Sequence, residues 1–128
     1  MRIISMQSGA NIAEVFTRLS NALSFINQHI TFAFDDIRGY HTTCPTNLGT
    51  AMRASVHIKI PKLSSQENFA EVCKELGLSI RGIHGEHSDS EGGIYDISNK
   101  RRLGITEREI FEQLYSGVKR LIELESSL

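Results

Sequence analysis

The sequence predicts an α+β fold, a largely antiparallel sheet flanked by helices. Segments with strict apolar–polar alternation stand beside segments whose apolar residues recur at three- and four-residue steps. Their order is strand, helix, several strands with one helix between them, then a closing helix. Most strand connections are too short for a helical crossover, which parallel pairing would require.

Taken in order, residues 2 to 7 read as a short strand. A chain that opens so near a strand is expected to continue the sheet of a larger protein. Asn11 begins a helix, with Glu14 three residues on completing a capping box. Ile12, Val15, Phe16, Leu19, Leu23 and Ile26 give that helix one buried face. Phe32 to Gly39 reads as a loop or short extended piece, and Tyr40 to Thr43 as a strand ending at Cys44-Pro45.

From residue 53 to 60 the alternation is clean. Val56, Ile58 and Ile60 share one face; Arg53, Ser55, His57 and Lys59 share the other. Pro61 ends the strand, because it cannot donate to the ladder. Ser64 with Glu67 reads as a second capping box, before a short helix with Phe69, Val72, Cys73 and Leu76 as its stripe. Leu78 to Ile83 is a strand, His84 to Gly93 a polar loop, and Ile94 to Ile97 another strand. Thr106 with Glu109 caps the last helix, whose core face is Ile110, Leu114, Val118, Leu121 and Ile122.

With 128 residues, 40% of them apolar and 23% charged, the chain can bury a core of its own. A formal net charge of −1 gives no global basic field, so neither a nucleic acid nor a membrane surface is an expected partner. No apolar run is long enough to span a bilayer, and the opening residues turn polar too quickly for a secretory signal. Cys44 and Cys73 have no framework spacing, so reduced thiols in the cytoplasm are the default expectation. No Walker A motif, G-x-G-x-x-G fingerprint or H-E-x-x-H helix is present.

Three segments could carry chemistry. In Cys44-Pro45-Thr46-Asn47-Leu48-Gly49-Thr50, a thiol precedes a loop whose backbone N–H groups could favour a thiolate. The same string also fits an inert cysteine packed at a turn, the commoner case for this residue. In Arg53-Ala54-Ser55-Val56-His57, a guanidinium, a hydroxyl and an imidazole project from one strand face. That set suits a polyanion, and it equally suits the solvent side of a half-exposed sheet. In Arg81-Gly82-Ile83-His84-Gly85-Glu86-His87, glycines flank a carboxylate. A closing lid with a catalytic Glu, a metal site from His84, Glu86, His87 and Asp89, and a plain polar connection are all open. The metal reading ranks lowest, since no helix fixes the two histidines on one face.

In order and content these strings, with Gly92-Gly93-Ile94-Tyr95-Asp96-Ile97-Ser98-Asn99-Lys100-Arg101-Arg102, resemble the phosphagen (ATP:guanidino) kinases, specifically the arginine kinases. The resemblance runs from Arg2 to the last helix. It implies the glutamine-synthetase-like catalytic fold of that family, truncated. Residues 1–128 would be the C-terminal portion of the catalytic domain, with the N-terminal helical domain and the first part of the catalytic domain absent. It implies transfer of the γ-phosphoryl of MgATP to a guanidino nitrogen, arginine being the expected acceptor, with Mg²⁺ held largely by phosphate and water.

By motif match, Arg2, Arg53 and Arg81 look like members of a phosphate clamp. Ala54, Ser55, Val56 and His57 look like further nucleotide contacts. Gly82, Ile83, His84, Gly85 and Glu86 look like the loop that folds over the nucleotide. Cys44 and Glu86 look like the guanidino-facing pair, thiol and carboxylate. Many arginine kinases carry arginine where this chain has His84. The resemblance also implies that residues from the N-terminal part are needed to complete the site. A non-catalytic nucleotide-binding fragment, and taurocyamine as acceptor, are the alternatives. A bacterial protein-arginine kinase shares the Cys-Pro-Thr-Asn string but not the Gly-Ile-Tyr-Asp-Ile-Ser-Asn stretch.

Overall fold

The computed structural model describes residues 1–9, 11–82 and 93–128. The chain divides into two compact units, Met1–Phe34 and Asp35–Leu128.

In the first unit, helix α1 (Ile12–Asn27) starts where its cap predicts: the Asn11 side chain accepts from the Glu14 amide and donates to the Glu14 carboxylate. Two expectations fail here. Residues 2–7 form no strand, because no described segment offers them a ladder; they meet α1 through polar contacts instead. Ser5 Oγ donates to the Val15 carbonyl, and Arg18 donates to the Met6 carbonyl and the Gln7 side chain. No residue of α1 is buried: Ile12, Val15, Leu19 and Ile26 are half-buried, and Phe16 and Leu23 exposed. The periodicity is right, but the residues that meet the helix within this unit supply polar groups rather than an apolar layer.

Strands β1 (Phe34–Asp35) and β2 (Gly39–Tyr40) form a two-stranded sheet. The strand expected over Tyr40 to Thr43 stops at Tyr40, which bridges to Gly49. The main sheet has the order β3-β5-β4, from β3 (Ser55–Lys59), β4 (Leu78–Gly82) and β5 (Ile94–Asn99). Both pairings are antiparallel, with β5 central. Register fixes the faces: Val56, Ile97 and Ile80 lie in one row across the sheet, and His57, Asp96 and Arg81 in the next, on the opposite face.

The apolar face carries the core. Ile60, Leu63, Phe69, Cys73, Leu78, Ile97, Leu114 and Leu121 make one cluster, to which α2 (Pro61–Ser64), α3 (Phe69–Glu75) and α4 (Glu107–Ser127) contribute. Pro61 does more than end β3; it opens α2 at a position where its missing N–H costs nothing. The Ser64–Glu67 box does not form. Ser64 closes α2 and donates to the Pro61 carbonyl, while α3 begins after Asn68 with no side-chain cap. The Thr106–Glu109 box does form. Ile122 is 50% exposed rather than core; the buried stripe runs through Ile110, Leu114, Gly117 and Leu121. Gly117 belongs there because Leu78 packs directly on its backbone, and an added Cβ would lie 2.7 Å from Leu78 Cδ1.

Candidate functional site

The polar face of the main sheet is where the candidate residues meet. Asp96 sits at its centre on β5, opposite His57 on one side and Arg81 on the other. Arg53, two residues before β3, reaches back along this face, and its Nη2 donates to Asp96 Oδ2 at 2.5 Å. His57 Nε2 lies 3.8 Å from Asp96 Oδ1, with its ring half-exposed. Arg53 Nη1 also approaches Ser55 Oγ at 3.4 Å. The carboxylate is the counter-charge of Arg53 and lies in register between His57 and Arg81.

The Cys44 loop is brought against the end of β5 by backbone contacts. Gly49 exchanges hydrogen bonds with Tyr40, and the Thr50 amide donates to the Arg102 carbonyl. Gly49 is needed at this approach: its φ is +115°, and a Cβ there would fall on the Arg102 carbonyl. Cys44 itself is exposed and precedes a 3-10 turn over Pro45–Asn47, with Sγ 2.9 Å from Thr46 Oγ1. Cys73, by contrast, is the cysteine packed in the core. Burial pushes the Cys73 thiol up to about 11.

Arg102 joins this set and was not among the residues singled out from the sequence. Burial first, then repulsion from Arg53 and Arg81, holds its guanidinium below the ordinary range, while Cys44 acts in the opposite direction. Three guanidinium groups and a thiol thus share one electrostatic neighbourhood. Arg53 Nε and Arg102 Nε are buried without a hydrogen-bond partner among the described residues. Asp96 was likewise missed. Arg102 stood within a quoted string, next to a second arginine, with nothing local to separate the two. Asp96 is identified only by strand register.

The other expected residues distribute as follows. Ala54 and Val56 pack against the core, and Ser55 and His57 face outward. Gly82 ends β4. Arg2 is exposed in the irregular start of the first unit. Ile83, His84, Gly85 and Glu86 lie outside the described residues, as do His87, Asp89 and the others up to Gly92. Among the described residues no group of three His, Cys, Asp or Glu side chains could hold a metal ion. None of the described helices is long and apolar enough to cross a membrane.

The described fold is an α+β module: an antiparallel sheet with an apolar face under helices and, on its other face, the row His57, Asp96 and Arg81. The chain belongs to the ATP:guanido phosphotransferases: the family described as "ATP:guanido phosphotransferase, C-terminal catalytic domain" matches residues 1–128.

Among curated relatives, a probable arginine kinase of Caenorhabditis elegans is 54% identical over 127 residues, 99% of this chain and 35% of the relative. Arginine kinase 1 of Drosophila melanogaster is 50% identical over 129 residues, 100% of this chain and 36% of its own length. The taurocyamine kinase of Schistosoma mansoni is 52% identical over 128 residues, 100% of this chain and 17% of its own length. The substrate-free structure of the duplicated taurocyamine kinase from S. mansoni superposes with a TM-score of 0.83 at 51% identity, covering 94% of this chain and 17% of that one. A lombricine kinase crystal structure superposes with a TM-score of 0.88 at 38% identity, covering 94% and 35%. The chain spans about a third, or less, of the length of these relatives.

Proposed function

We propose that this chain forms the nucleotide side of an ATP:guanidino phosphotransferase site, with arginine as the acceptor. The observation that supports the reading is the pair Arg53 and Arg81 at the Asp96 face of the sheet, with Arg102 and an exposed Cys44 in the same electrostatic neighbourhood. Phosphoryl transfer asks a protein mainly for alignment and for charge placed where the equatorial oxygens develop it. Arginines meet that need: they stay charged at any working pH and offer forked donors to phosphate oxygens. Arg2 is proposed as a further member of the clamp, and Arg102 joins it.

His57 and Ser55 would contact the nucleoside end, and residues Gly82 to Glu86 would fold over the nucleotide. The attacking guanidinium is cationic and a poor nucleophile. Glu86 would orient it and ease its proton loss, and the Cys44 thiolate would add negative charge on its other side. The substrate would be MgATP, its metal arriving on the phosphates and held largely by phosphate and water. Two free cysteines fit a reducing compartment, so a cytoplasmic location is part of the same reading.

A second acceptor, taurocyamine, is favoured by the 52% identity to the S. mansoni taurocyamine kinase. The two are separated by phosphorus NMR of product formed from MgATP with each guanidino compound. The assay uses this chain alone and this chain joined to the N-terminal two-thirds of an arginine kinase. We expect negligible transfer by the chain alone and phosphoarginine from the joined protein. Brisk phosphoarginine formation by the isolated chain would contradict the shared site. Transfer from the joined protein to taurocyamine but not arginine would contradict the acceptor.

A further inference from the structure

Asn99, the last residue of β5, is 1% exposed, yet its side chain is polar and fully engaged. Its Oδ1 accepts from the Ala54 amide at 2.8 Å. Its Nδ2 donates to the Met52 carbonyl at 3.2 Å and to the Arg101 carbonyl at 2.9 Å. The Asn99 backbone amide donates to the Ala54 carbonyl at 3.3 Å as well. The β3–β5 ladder ends at the Ser55–Ser98 pair, so residues 52–54 lie beyond regular pairing. The Asn99 amide takes the place of the missing rungs. It grips the residues on both sides of Arg53 and the residue just before Arg102.

A buried amide used at both ends is a costly choice where an apolar residue could pack. What it achieves is geometric. Arg53 departs from a backbone fixed on both sides, toward Asp96 on the opposite face of the sheet. Arg102 departs from a backbone whose preceding carbonyl is held by the same side chain. We infer that Asn99 is a positioning residue that locks Arg53 and Arg102 into one rigid cationic pair and sets the phosphate affinity of the face. The inference rests on the nucleotide reading given under the proposed function. Truncating Asn99 would release both arginines together without removing any charge.

The test is titration of the 128-residue chain with MgATP, in the parent, Asn99→Ala, Asn99→Ser, Arg53→Ala, Asn99→Ala/Arg53→Ala and Leu121→Ala forms. Hydrogen bonds to charged groups set the scale, so Asn99→Ala and Arg53→Ala should each weaken binding about 10- to 100-fold. The double variant should bind more weakly than Arg53→Ala, but by less than the loss Asn99→Ala causes in the parent, because only the part of the Asn99 effect that runs through Arg102 remains. Leu121→Ala loosens the core yet should keep parental affinity in its folded fraction, which separates positioning from general destabilisation. Asn99→Ser, smaller but still polar, should fall between parent and Asn99→Ala, and it serves if Asn99→Ala does not fold.

The second readout is the Arg53 Nε–H NMR signal without nucleotide. It should move toward its random-coil position in Asn99→Ala, part of the way in Asn99→Ser, and stay in place in Leu121→Ala. Parent that binds MgATP while the Asn99 variants bind equally well, or losses in Asn99→Ala and Arg53→Ala that simply add, would overturn the inference. Parent that fails to bind MgATP would instead sink the nucleotide reading, and the Arg53 signal would then decide the positioning role: unmoved in the Asn99 variants, it is refuted.

Discussion

Arg53 and Asp96 are joined Nη2 to Oδ2 at 2.5 Å across the β3–β5 edge, with the carboxylate side chain only 14% exposed. That pair ties the segment before β3 to the centre of the sheet. Asp96→Asn keeps the shape and removes the counter-charge from Arg53, in a partly buried setting. The expected loss of unfolding free energy is about 1–3 kcal/mol, less than for a fully buried pair because water still reaches the arginine. Urea unfolding with an unchanged slope and a lowered midpoint would show it. An unchanged midpoint would mean the pair contributes nothing.

Much of this was legible in the sequence. The Asn11 and Thr106 caps, the alternation at Val56 and Ile58, and the Phe69–Cys73 stripe were all local patterns, and local patterns survive folding. What failed depended on distant partners. Ser64 with Glu67 matched a capping box, but Ser64 ends a short helix that begins at Pro61, and the first amides of that helix are met by Glu125, which accepts from Lys62 and Leu63 N–H at 3.2 and 2.7 Å. No window around residue 64 contains that partner. Ile122 sat on the periodic face of α4, and the helix turned its stripe to Gly117 instead, where Leu78 packs closest. Cys44, Arg53, His57 and Arg81 were legible as motif residues. Asp96, Arg102 and Asn99 were not, since their roles come from register and from contacts across some 45 residues.

Glu125 supplies the next expectation. Removing it with Glu125→Ala leaves two helix-start amides without their acceptor, at a cost of about 1 kcal/mol. Glu125→Gln keeps an acceptor oxygen and should lose less. Thermal melts of the two variants give the order, and equal stability of Glu125→Ala and parent would remove the cap from the account.

The two thiols should differ sharply toward an alkylating reagent. Cys44 is exposed, whereas Cys73 is buried and its thiol is held up to about 11. Mass spectrometry at neutral pH should find Cys44 labelled first by about 100-fold or more, with Cys73 labelled only through opening of the core. Comparable rates at both positions would contradict the placement of α3 against the sheet.

Cys73 also sets a direction for alkaline stability. Burial pushes its thiol from the ordinary 9.0 up to about 11, so the folded state binds the proton more tightly than the unfolded chain. Its contribution is complete below pH ~9 and is lost as pH rises through ~11, on the order of 2 kcal/mol in all. Cys73→Ala lacks this term. The stability difference between parent and Cys73→Ala should therefore narrow from pH 8.5 to 11, as read from urea midpoints. A difference constant across that window would refute the assignment.

The central claim is that the cationic face of β3-β5-β4 holds nucleotide phosphates through guanidinium groups, Arg102 among them. Calorimetric titration of MgATP into the 128-residue chain and its Arg102→Ala variant, at low and moderate salt, tests it most directly. Saturable binding by the parent that weakens with salt is expected, with about tenfold or greater loss in Arg102→Ala and a shallower salt dependence. Binding that is indifferent to both salt and Arg102→Ala, or no binding by the folded parent, would contradict it.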